Sequence, residues 1–141
     1  PEDKPHKDFF DKGIRMADSQ TTIDDLKKLV AQFVTDRDWD QFHSPKNLSM
    51  AIAVEAAELM EKFQWMDNKT SIDELEHKRT AVEEETADVF FCILNLCYLY
   101  NIDLSSALQR KIKINEQNYP VAETKGSYRL YEQAKKKRKQ S

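Results

Sequence analysis

The sequence predicts an all-α fold, and three observations carry that prediction. Only two glycines and four prolines occur in 141 residues, too few for a turn-rich β architecture. Ile23, Leu26, Val30, Phe33 and Val34 recur at three- and four-residue spacing, the period of a helix with one buried face. Helix-start signals precede such stretches: Thr22 with Asp25, and Ser44 before Pro45. A serine or threonine before the first turn satisfies its orphan N–H groups, and proline suits the first helical position.

Taken in order, residues 1–20 are polar with scattered apolar side chains and read as a flexible arm with at most a short helical turn. The Thr22/Asp25 capping box opens the first helix, which runs to about Asp36. Arg37-Asp38-Trp39-Asp40-Gln41-Phe42-His43 is an aromatic-rich loop. The second helix runs from Pro45 to about Trp65, with Leu48, Ile52, Leu59, Met60 and Phe63 as its apolar positions. Asp67–Thr70 is a polar connection. Ser71 and Glu74 form a second capping-box candidate, and the third helix extends from there to about Tyr100, in one or two pieces. Its half after Asp88 is apolar nearly all round, so every side needs cover; a chain this short points to an oligomer. Asp103 caps a fourth helix, Leu104 to about Asn118, which Tyr119-Pro120 stops. The remainder, residues 132–141, reads as a basic disordered tail.

Composition narrows the function classes. The charged fraction is 33% but the net charge is only −3, so no global field points to nucleic acid. Cys92 and Cys97 are too close along one apolar run for a favourable disulfide, and free thiols suit a reducing compartment. No signal peptide is expected. The apolar run Val89–Tyr100 is broken by Asn95 and is too short to span a bilayer. The expected location is the cytoplasm, or the nucleus through the basic run if the source is a eukaryote.

Two carboxylate motifs carry the chemistry: Glu55-Ala56-Ala57-Glu58 and Glu85-Thr86-Ala87-Asp88. Each sets two acids three residues apart, on one face of a helix. Alanines between them allow a second helix to approach. If the two helices face each other, four carboxylates meet, and they do not stay ionised together without a cation. All-oxygen ligation suits Mg²⁺, which keeps waters and shares substrate phosphates. The plainer alternative is two solvated helix faces. A di-iron centre is disfavoured, because it normally adds Glu-x-x-His pairs, and positions 58 and 88 are Glu and Asp.

Trp39, His43 and Trp65 flank the second helix, either as packing residues or as a platform on which a nucleobase stacks. Lys111 and Asn115 lie one helical turn apart before Tyr119, either as plain surface or as a phosphate clamp.

In combination these motifs, together with Phe63-Gln64-Trp65 and Tyr119-Pro120-Val121, resemble the MazG-like all-α NTP pyrophosphohydrolases, nearest the dCTP pyrophosphatase branch. The resemblance covers about residues 22–131, which implies one nucleotide pyrophosphohydrolase domain over 21–131. It implies a four-helix MazG-like bundle assembled as a dimer or a dimer of dimers. It further implies Mg²⁺-dependent hydrolysis of a nucleoside triphosphate, dCTP or a related dNTP, to monophosphate and pyrophosphate. Glu55, Glu58, Glu85 and Asp88 would hold the metal. Glu58, Glu61 or Glu85 would act as the base for a water attacking the α-phosphorus. Lys111, Asn115 and Tyr119 would hold phosphates, and Trp39, His43 and Trp65 would line the base pocket. Four positions depart from the family pattern: Val30, Cys92, Asn118 and Leu130. A non-catalytic nucleotide sensor or helical interaction module is the alternative function.

Overall fold

The structure is a computed structural model that describes residues 16–139. The expected arm therefore lies mostly outside the described residues. These form helices and turns with no strand, as the glycine-poor, periodic sequence predicts. They divide into two compact units that meet in sequence at Ile102 and Asp103, within the stretch expected to be one domain.

In the first unit, α1 spans Ile23–Thr35. The predicted capping box is present: the Asp25 N–H donates to Thr22 Oγ1 at 3.1 Å, and the Thr22 N–H donates to Asp25 Oδ2 at 3.0 Å. Asp38 then takes a left-handed conformation, φ 53°, and a short 3₁₀ turn covers Asp40–Phe42. Helix α2 spans Pro45–Glu61, with Ser44 Oγ accepting from the Asn47 N–H at 3.1 Å. It ends four residues before the expected Trp65. Its last turn tightens into i→i−3 bonds, Lys62 to Leu59 and Phe63 to Met60, a common helix ending. The freed Lys62 carbonyl is taken by Lys78 Nζ at 3.0 Å.

The expected third helix is two. Helix α3 is short, Asn68–Asp73, and Asp67 caps it by accepting from the Thr70 N–H at 2.7 Å. Ser71 was expected to be a cap. It instead lies inside α3 and donates to the Asn68 carbonyl, because Asp67 starts the helix before it. Helix α4 then spans Arg79–Leu99. Both α2 and α1 pack against α4. Val30 and Val34 of α1 meet Leu94 of α4, with Ile23, Leu26, Phe90 and Phe91 around them.

That packing alters the argument for an oligomer. The band from Val89 to Leu99 is buried or half-buried within the unit except for Tyr98. Exposed apolar side chains remain on several elements, α2 among them, where Met50, Val54 and Met60 are each more than half exposed.

In the second unit, α5 spans Leu104–Asn118, and Asp103 caps it by accepting from the Ser106 N–H at 2.9 Å. A single turn, α6 (Val121–Thr124), and a left-handed Gly126, φ 71°, lead into α7, Tyr128–Lys139. The residues expected to be a disordered tail from 132 are thus helical as far as Lys139. Gln133, Ala134 and the lysines are good helix formers. Their cations also find ring faces: Lys135 lies over Tyr131 and Arg138 over Tyr119, a favourable contact.

Candidate functional site

Helices α2 and α4 bring the acidic motifs together. One carboxylate oxygen each from Glu55, Glu58 and Glu85 lies within 4.8 Å of the other two. Glu55 and Glu85 are half-buried and Glu58 is exposed. Asp88 is exposed and stands outside this tight group, yet close enough for its charge to act on Glu55. The expected foursome is thus a trio with a fourth acid at its edge. Partial burial pushes the Glu55 carboxyl above its ordinary range, and the charges of Glu58, Asp88 and Glu85 push the same way. Ala56, Ala57 and Ala87, expected to line the helix approach, are exposed.

One cation already reaches the cluster. Lys62 Nζ lies 2.7 Å from Glu85 Oε1, with side chains only 29% and 15% exposed. The Glu85 carboxylate holds the Lys62 ammonium above its usual range, helped by the charges of Glu61 and Glu58. Sequence reasoning missed this lysine. Its one signal was its place one turn after Glu58.

The donor set fits a hard divalent ion. All three groups offer carboxylate oxygen, and Mg²⁺ takes oxygen at about 2.0–2.1 Å. Octahedral ligand oxygens then stand roughly 3–4.2 Å apart. Oxygens within 4.8 Å need only a small contraction to match. The raised Glu55 carboxyl marks a place where added positive charge is favoured.

The other predicted residues are distributed as follows. Glu61 is exposed, at the last position of α2 and outside the trio. Trp39 stands edge-on to Phe33, with ring centres 5.9 Å apart, and is 44% exposed. His43 is half-buried and held by α4 and the residue after it: Asn95 Nδ2 lies 2.8 Å from its Nδ1, and the Tyr100 hydroxyl donates to its carbonyl at 3.0 Å. Asn95 itself is buried, and its Oδ1 has no partner among the described residues. Trp65 is 90% exposed, which excludes it from the core of this unit. Lys111, Asn115 and Tyr119 belong to the second unit. There Lys111 is exposed, Asn115 is half-buried with its carbonyl accepting from the Tyr119 N–H at 2.8 Å, and the Tyr119 ring stacks on Tyr131 at 4.9 Å. Cys92, one turn beyond Asp88, is a free thiol raised by burial and then by the charges of Glu55 and Asp88.

The model of the MazG-like family matches residues 50–133, a stretch that includes both acidic motifs. The dCTP pyrophosphatase 1 of Mus musculus is 36% identical over 110 residues, 77% of this chain and 65% of the relative. The dCTP pyrophosphatase 1 of Homo sapiens is 35% identical over 114 residues, 79% of this chain and 67% of the relative. The chain thus spans about two thirds of the length of the curated relatives it matches. A crystal structure of a pyrophosphatase from Archaeoglobus fulgidus superposes with a TM-score of 0.68 at 36% identity, covering 75% of this chain and 99% of that one.

Proposed function

Because this chain belongs to the MazG-like family, we propose that it hydrolyses a nucleoside triphosphate to the monophosphate and pyrophosphate, with Mg²⁺ as cofactor and dCTP or a related dNTP as substrate. The observation that carries the reading is the carboxylate trio between α2 and α4. The dCTP pyrophosphatases among its relatives support the substrate class.

Glu55, Glu58, Glu85 and Asp88 would hold the cation. When bound, it neutralises phosphate charge and lowers the pKa of water. Of the three acids considered as base, Glu85 is engaged by Lys62 and Glu61 lies outside the trio. Glu58 is both in the trio and open to solvent, so it is the acid best suited to orient a water toward the α-phosphorus and take its proton. Lys111, Asn115 and Tyr119 would hold the outgoing phosphates. Trp39, His43 and Trp65 would line the base. We further propose that the protein works as a homodimer or homotetramer on the nucleotide pool of the cytoplasm. The exposed apolar side chains of α2 and the exposed Trp65 support the assembly.

The test is product analysis with dCTP, dTTP, dATP and CTP at fixed Mg²⁺. Pyrophosphate and monophosphate are expected in equal amounts, fastest from a dNTP. Nucleotide binding without pyrophosphate release would make the protein a sensor instead, and release of inorganic phosphate with the diphosphate would place the attack at another phosphorus.

A further inference from the structure

We propose that Lys62 is the resident counterion of the acidic cluster, and that a divalent cation enters by displacing its ammonium from Glu85. The inference rests on the metal reading above, but it concerns a residue that neither acidic motif contains.

The geometry supports the exchange at each step. Lys62 Nζ sits 2.7 Å from Glu85 Oε1, so it already engages one oxygen of a carboxylate that a metal ion would need. Both side chains are largely shielded from water, and a charge pair there is screened less than one at the open surface. A dication held by the trio would stand a few ångströms from the ammonium and push it off Glu85. Like charges a few ångströms apart in a partly shielded site repel by several-fold more than in water. Lys62 can leave without unfolding its surroundings. Lys78 Nζ pins its carbonyl at the end of α2, while its four-carbon stem is free to swing. Glu61 and Glu58 lie within electrostatic reach as alternative partners.

The ammonium also favours the close approach of half-buried Glu55 and Glu85. One ammonium offsets part of their charge and holds α4 against the end of α2. Without it, Glu85 would be a shielded carboxylate with no partner, which is costly.

The experiment uses the full chain and compares wild type, K62M and K62R. Mg²⁺ affinity is read by titration calorimetry, and melting temperature is read with and without Mg²⁺. K62M is expected to bind Mg²⁺ roughly 5- to 30-fold more tightly. Its metal-free Tm should fall, and its Tm rise on saturating with Mg²⁺ should exceed that of wild type. K62R, whose planar fork grips a carboxylate through two N–H groups, should bind Mg²⁺ no more tightly than wild type. If K62M does not fold, K62Q gives the same reading with a polar stem. Equal or weaker Mg²⁺ affinity in the neutral variant overturns the assignment of Lys62 and leaves the metal site standing. Absence of Mg²⁺ binding in all the proteins overturns both.

Discussion

Glu58 and Asp88 add negative charge beside Glu55. Each stands at the exposed side of an acidic group, where removing one negative charge relieves repulsion on Glu55. Glu58→Gln and Asp88→Asn should therefore melt at the wild-type temperature or above it in the absence of metal, by calorimetry, while losing Mg²⁺-dependent turnover. A fall of several degrees would show instead that these acids hold the fold together. Glu55 gives a second, independent sign. Its carboxyl is raised by partial burial and by its acidic neighbours, so the folded state binds its proton more readily than the unfolded chain does. Stability from this group is then present below the ordinary carboxylate range and is lost as pH rises through the raised folded value. Without metal, the wild type should lose stability over that window more steeply than Glu55→Gln. Parallel pH profiles for the two proteins would contradict the assignment. The acids were legible in the sequence because i, i+3 spacing on a helix fixes a shared face whatever the tertiary packing. Lys62 was not, because its bond to Glu85 spans two helices. The offset of Asp88 was equally hidden, since spacing gives a face and not a side-chain reach.

Helix α2 carries two of the trio, Glu55 and Glu58, and its start is set by Ser44 and Pro45. Ser44→Ala removes the acceptor for the Asn47 N–H and should cost about 1 kcal/mol of stability. It should leave the products unchanged, because the acids lie more than two turns further on. Denaturant unfolding measures the first and product analysis the second. A loss below about 0.3 kcal/mol would show that water replaces the cap at no expense. Starts of helices were read well from sequence: Thr22, Ser44 and Asp103 all cap as expected, since a cap is a local hydrogen bond within one turn. Ends were read less well. The carbonyl at the close of α2 is taken by Lys78, sixteen residues away, and α3 is capped by Asp67 ahead of Ser71 and stops at Asp73, short of α4. The helix over Tyr128–Lys139 was missed because a lysine run reads as solvated chain, while its ring contacts to Tyr119 and Tyr131 are tertiary.

At the scale of the molecule, most of the α4 band that seemed to demand a second chain is buried or half-buried against α1 and α2, and α2 is one of the elements that carry exposed apolar side chains. Light scattering at micromolar concentration should give at least twice the mass of one 16.6 kDa chain. Replacing Val54 and Met60 together with serine should reduce that mass, and an unchanged oligomer would move the interface elsewhere. The central claim is that the carboxylate trio of a MazG-like chain is the place where a triphosphate is cleaved. Its most direct test is pyrophosphate release from dCTP by wild type and Glu58→Gln, each with Mg²⁺ and with a chelator. The account predicts release by the wild type with Mg²⁺ alone, and a loss of at least about a hundredfold in Glu58→Gln, the usual scale for removing a general base. Turnover of Glu58→Gln within threefold of wild type, or full activity in the chelator, would contradict it.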